Sequence, residues 1–139
     1  MILSDLLKLA KSFGLSREYL TKLALEQGIP FARSWVMNEA REKMTKAVPK
    51  IVANLAAKAP LDGQKRKDKD GIEFDDWAFL AHEALYLLVK AVVRKGGLFI
   101  DGWRDAHLSK VLALVADSDK STPEAVIRAT MEAELAVTF

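Results

Sequence analysis

The chain has 139 residues, half of them hydrophobic, which is enough to bury a core without disulfides or metal ions. It has no cysteine and two histidines, which excludes disulfides, thiolate metal sites and cysteine nucleophiles. The net charge of +2 hides two unlike halves: residues 1–70 carry 14 Lys and Arg against 8 Asp and Glu, and residues 71–139 carry 7 against 11. This asymmetry favours contact of the basic half with nucleic acid or a membrane surface, and equally a head-to-tail self-association.

Two further features of the sequence concern the environment in which the protein functions. Asn and Gln are scarce while Lys, Arg and Glu are abundant, which is typical of heat-adapted proteins. The chain starts Met-Ile-Leu-Ser-Asp, without the basic start and apolar run of a signal peptide, so we expect a protein that is not secreted.

The hydrophobic pattern is helical nearly throughout, and it predicts an all-α fold. Ser4 and Ser16 are the candidate N-caps of the first two helices. Gly14 and Gly28 are their predicted C-terminal stops. Pro30 suits the first turn of a third helix.

The third predicted helix, residues 31–59, has one apolar stripe that continues through Pro49 and therefore predicts a single helix kinked there. Lys43, Lys46 and Lys50 lie beside this stripe, at i, i+3 and i+7. Such a row could follow a phosphate backbone, and the alternative is an ordinary solvated border of lysines. The stripe consists of Met37, Ala40, Met44, Val48, Ile51 and Leu55.

Residues 61–71 are bounded by glycine and dense in charge, which predicts a solvated linker. The linker separates a basic N-terminal helical arm, residues 1–60, from a small helical bundle for assembly, residues 72–139. Its Lys65-Arg66-Lys67-Asp68-Lys69 core is basic but interrupted by acids. The next helix, opened by Asp75 or Asp76, is apolar on nearly every face, so we expect it at the buried centre.

The remaining predicted elements are two C-terminal helices. Gly96-Gly97 predicts a stop, and the next helix is predicted to begin near Asp101 and Trp103. Thr122 is the predicted N-cap of the last helix. The apolar residues 136–139 favour contact with neighbouring copies of the chain.

Motifs for metals and catalysis are incomplete in this sequence. His82-Glu83 begins a zincin motif, but Tyr86 occupies the position of the second histidine ligand. A calcium loop around residues 68–71 would need ligands where Arg66 and Trp77 stand. No glycine-rich phosphate loop or nucleophile elbow is present. We therefore expect no metal, no cofactor, no catalytic residue and no small-molecule substrate, in a protein that is not an enzyme.

Residues 9–23 resemble the helix-turn-helix of DNA-binding regulators such as the AraC-type family. Ala10 would let the second helix approach, Gly14 would supply the left-handed turn, and Leu20 and Leu23 would face the core of the pair. Such units normally carry a stabilising helix before the pair, which has no counterpart here, and the alternative is a plain helical hairpin. The resemblance implies that Arg17, Tyr19, Thr21 and Lys22 lie on or near the helix presented to the major groove.

In size, helical content, basic N-terminal region and heat-adapted composition, the chain also resembles the small α-helical major coat proteins of rod-shaped and filamentous viruses of hyperthermophilic archaea. That resemblance implies a structural protein that coats double-stranded DNA without reading its sequence. It further implies self-association into a large assembly, with or without a paralogous coat chain, in a virion or in host cytoplasm before assembly. The alternative is a dimeric helix-turn-helix transcriptional regulator. The residues expected to contact DNA are Lys8, Lys11, Arg17, Lys22, Arg33, Lys43, Lys46, Lys50 and Lys58.

Overall fold

The computed structural model describes residues 2–92 and 105–139, and within these ranges the chain forms six α-helices and one small antiparallel sheet. The prediction of an all-α protein is thereby confirmed. The predicted stop at Gly96-Gly97 and the predicted helix start near Asp101 and Trp103 lie outside the described residues. The elements are α1 Leu3–Ser12, α2 Arg17–Gln27, α3 Ile29–Leu55, β1 Arg66–Lys67, β2 Glu73–Phe74, α4 Asp76–Val92, α5 Asp105–Ala116 and α6 Pro123–Thr138.

Most predicted helix ends are confirmed. The Ser16 hydroxyl accepts the N–H of Tyr19 at the start of α2, and Gly14 and Gly28 adopt positive φ angles of 70° and 93°. Thr122 caps α6 in the same way. The prediction of Ser4 as a cap is wrong: the helical hydrogen bonds already begin at the carbonyl of residue 2, which places Ser4 inside α1.

Helix α3 is continuous from Ile29 to Leu55 and runs through Pro49 as predicted. It ends four residues earlier than predicted, because residues 56–59 form a turn. Five of the six predicted stripe residues are buried, whereas Met37 is only partly buried and Val36 is buried beside it. The buried stripe consists of Ala32, Val36, Ala40, Met44, Val48, Ile51 and Leu55.

The buried apolar side chains of the described helices form one hydrophobic cluster. Helix α3 packs on α4 and α6, α4 packs on α6 and α5, and α1 and α2 pack on each other and on α3. The predicted boundaries at residues 60 and 72 mark a change in net charge along the chain. The helices before and after them nevertheless pack into the same core.

Helix α4 lies at the centre of this core, as its apolar composition predicted, with eight buried side chains. The apolar residues at the other end of the chain also have partners within the molecule. Val137 and Phe139 pack against the core, and the ring centroid of Phe139 lies 6.3 Å from that of Phe13. Contacts within the chain thus account for these side chains without a neighbouring copy.

The segment predicted to be a solvated linker forms the first strand and the turn of a β-hairpin. Arg66 pairs with Phe74 and Lys67 with Glu73, so the second strand lies just beyond the predicted linker. The Asp68 carboxylate accepts the N–H groups of two residues in the turn and orders it. Two residues per strand are too few to show an alternating pattern, and for this reason the sequence did not reveal the hairpin.

Candidate nucleic-acid interface

The second half of α3 presents a basic surface without acidic residues. Residues 43–61 include four lysines and no Asp or Glu. Since Met44, Val48 and Ile51 face the core, the opposite side of the helix faces solvent, and Lys46 and Lys50 are exposed there. Apart from Glu42, which contacts Lys46, no Asp or Glu of α3 lies beside these lysines in the sequence, which suits the surface to an anionic partner.

Three lysines of this region, Lys46, Lys50 and Lys58, are exposed, and together we call them the α3 lysine surface. Lys46 and Lys50 are one helical turn apart, about 6 Å along the axis, and Lys58 lies in the turn after α3. Lys46 also contacts Glu42 at 3.4 Å, but both side chains are more than half exposed, so this pair contributes little free energy. Lys50 and Lys58 form no ion pair within the described part of the chain.

Lys43, predicted to belong to the same row, has an internal partner. Its Nζ donates a hydrogen bond of 2.5 Å to the backbone oxygen of Phe13 and is partly buried. The carbonyl groups at the end of a helix lack partners within that helix, and Lys43 satisfies one at the end of α1. Lys43 therefore differs from Lys46 and Lys50: its charged group is bound within the fold, whereas theirs are exposed.

The other predicted DNA-binding residues lie on three helices. Lys8 and Lys11 are exposed on α1, and Arg17 and Lys22 are exposed on α2. Arg33, near the start of α3, donates a hydrogen bond of 3.4 Å to the backbone oxygen of Phe139. Arg17 and Lys22 differ by five residues, which places them on different sides of α2.

Residues 9–23 form a helical hairpin with a buried core, an arrangement shared by a helix-turn-helix and a plain hairpin. Ala10 and Leu20 are fully buried, and Leu23 is buried as well. The Tyr19 ring packs edge-on against Trp35 of α3, with centroids 5.0 Å apart, although about half of Tyr19 remains exposed. Helix α3, which follows this hairpin along the chain, packs against both of its helices.

A polar pair of a partly buried histidine and a buried glutamate joins α5 to α6. His107 Nε2 and Glu134 Oε2 are 2.5 Å apart, and the other Glu134 oxygen accepts a hydrogen bond from Thr138. The Glu134 side chain is only 2% exposed. The hydrogen bond to Glu134 raises the pKa of His107, and partial burial and Lys110 oppose that shift. Sequence spacing could not pair these residues, because their proximity depends on how two helices pack.

The hairpin also holds a close ion pair. Asp62 accepts hydrogen bonds from Nη1 and Nη2 of Arg66, at 2.9 and 2.6 Å. These bonds lower the pKa of Asp62 to about 2. The spacing of four residues brings side chains together on a helix, but this segment is not helical, so the sequence carries no signal for the pair.

A group of metal ligands or a membrane-spanning helix in residues 2–92 and 105–139 would indicate another kind of site. No group of three or more potential metal ligands occurs within these ranges. None of the helices described there is both long enough and apolar enough to span a membrane.

Comparisons with known proteins identify no relative. No protein-family model, no curated protein and no solved structure gives a significant match to this chain.

Proposed function

We propose that this protein binds double-stranded DNA through its phosphates, without reading the base sequence, and that many copies coat or package the duplex. The observation that carries the proposal is the α3 lysine surface, a stretch of exposed lysines with no acidic residue between positions 43 and 61. Lysine on an exposed helix face contacts phosphates as a point charge and carries little base specificity.

Self-association of the DNA-bound protein is supported by exposed apolar side chains. Leu25 is 80% exposed and Phe31 is 52% exposed, on either side of the turn between α2 and α3. Exposed apolar groups of this size suit contacts between neighbouring copies. The helical architecture and the basic first half are the features shared with coat proteins of archaeal rod-shaped and filamentous viruses.

The salt dependence of DNA binding tests the phosphate contacts. Replacing Lys46, Lys50 and Lys58 with Ala should reduce the slope of log K against log salt by about 2.7, since each neutralised phosphate contributes about 0.9. Lys110, an exposed lysine on α5, supplies the control, because Lys110→Ala should leave the slope unchanged. An unchanged slope for the triple variant would contradict the proposal.

A dimeric helix-turn-helix regulator is the second candidate, favoured by the buried Ala10 and Leu20 and by the capped turn before α2. Selection from a random pool of duplexes distinguishes the two functions. A regulator should enrich one sequence with a preference of about 1,000-fold or more over random DNA. The coating function predicts no enriched sequence, and it predicts particles in electron micrographs that lengthen with the DNA.

A further inference from the structure

The hairpin after α3, residues 62–74, contains both signs of charge at nearly equal density. Its bases are Lys65, Arg66, Lys67 and Lys69, and its acids are Asp62, Asp68, Asp70 and Glu73. From sequence alone these charges cancel. In the folded hairpin the acids and the bases differ in exposure and pairing, because three of the four acids have partners inside the molecule.

Two of the acids are compensated by bases of the same hairpin. Asp62 forms the two hydrogen bonds to the Arg66 guanidinium. Glu73 lies 3.6 Å from the Nζ of Lys65. These two pairs remove two acids and two bases from the charge that the hairpin presents to a partner.

Asp68 is turned towards the interior. Its side chain is 6% exposed, and its Oδ1 accepts the N–H groups of Asp70 and Ile72 at 2.9 and 3.0 Å. Its Oδ2 lies 3.9 Å from Nε2 of His82, on the face of α4 that packs against Phe74. The charge of Asp68 is therefore engaged within the fold.

The bases that are left, Lys67 and Lys69, are exposed and form no ion pair within the described ranges. Two exposed acids lie near them: Asp70 is adjacent to Lys69 in the turn, and Glu73, which pairs with Lys65, stands opposite Lys67 across the strands. The hairpin is held in place, since the N–H of Gly63 donates a 2.7 Å hydrogen bond to Asp76 at the start of α4. Because the hairpin is already fixed to α4, a contact of its lysines with a partner loses less conformational entropy than a contact from a flexible loop would.

We propose that Lys67 and Lys69 form a second phosphate contact for duplex DNA, in addition to the α3 lysine surface. This inference rests on the proposed function. Asp70 opposes the contact, because its carboxylate repels phosphate.

The test compares Lys67→Ala/Lys69→Ala with wild type in the full chain, on a random-sequence duplex of about three helical turns. The slope of log K against log salt should fall by about 1.8, while Asp70→Asn should strengthen binding. A Lys67→Arg/Lys69→Arg variant should keep the wild-type slope. The matched control is Lys90→Ala/Lys110→Ala, which removes two exposed lysines from the second half of the chain.

The outcomes separate this inference from the function on which it rests. A reduced slope for both the hairpin and the α3 variants supports both proposals. A wild-type slope for the hairpin variant, beside a reduced slope for the α3 variant, overturns the second contact alone. Wild-type slopes for both variants overturn both proposals. If the alanine variant shows a lowered unfolding midpoint, the Lys67→Gln/Lys69→Gln variant replaces it in the same comparison.

Discussion

The α3 lysine surface and the α5–α6 junction use charge in opposite ways. On this surface, Lys50 and Lys58 are exposed and have no ionic partner within the described residues. At the junction, the Glu134 carboxylate is almost completely buried and is held by His107 and Thr138. An exposed lysine changes the free energy of folding little and is accessible to a partner. A buried carboxylate, by contrast, destabilises the fold unless its hydrogen-bond partners are present.

The charged side chains therefore divide into those with partners inside the fold and those that are exposed without an ionic partner among the described residues. Substitutions at the junction should change the free energy of unfolding. Substitutions on the α3 lysine surface should change DNA binding and leave the free energy of unfolding within about 0.5 kcal/mol of wild type.

The largest expected effect is that of His107→Ala. The substitution leaves the Glu134 carboxylate buried without its closest partner, so it should lower the free energy of unfolding by about 2–3 kcal/mol. Urea denaturation measures this loss. Glu124→Ala is the control, because it breaks an exposed pair with Arg128 on α6 and should cost about 0.5 kcal/mol or less. Equal losses in the two variants would show that the His107–Glu134 pair stabilises the fold no more than an exposed ion pair does.

The raised pKa of His107 also predicts a pH dependence of stability. A group whose pKa is higher in the folded state stabilises the fold below its unfolded pKa, and this contribution disappears as the pH rises through the folded pKa. Stability should therefore fall as the pH rises from about 6.5, with a slope of at most about 1.4 kcal/mol per pH unit. Among the described residues, Glu134 on α6 drives the shift and Lys110 on α5 opposes it.

Urea midpoints measured at a series of pH values test this dependence. Glu134→Gln should abolish the fall in stability, because the glutamine keeps the shape of the side chain but carries no charge. Removing the other histidine with His82→Gln should preserve the fall. If the slope persists in Glu134→Gln, the pH dependence arises elsewhere in the molecule.

The helices could be predicted from the sequence, and the junction and the hairpin could not. Helical periodicity and the caps at Ser16 and Thr122 are local signals, which do not depend on the rest of the fold. The contact between His107 and Glu134 spans 27 residues and depends on how α5 and α6 pack. The hairpin strands are too short to show a period, and the inward turn of Asp68 follows from the position of α4.

The candidate DNA-binding residues could be predicted as a set, but their division could not. Lys43, Lys46 and Lys50 look equivalent by spacing along one helix. They differ in the structure because α1 ends beside Lys43 and offers it the carbonyl of Phe13. Such a neighbour belongs to tertiary packing, which the spacing within one helix does not record.

The smallest expected effect tests this division with a matched pair of substitutions, Lys43→Met and Lys50→Met. Methionine keeps an unbranched apolar stem and removes only the charged donor. Lys43→Met should lower the free energy of unfolding by about 1 kcal/mol, since a helix-end carbonyl loses its partner, and should leave the salt slope of DNA binding unchanged. Lys50→Met should have the opposite effect, with wild-type stability and a salt slope reduced by about 0.9.

Urea denaturation and DNA titration at several salt concentrations measure both quantities on each variant. If Lys43→Met reduced the slope as much as Lys50→Met does, Lys43 would contact phosphate as well, and the separation of folding charges from binding charges would fail on α3.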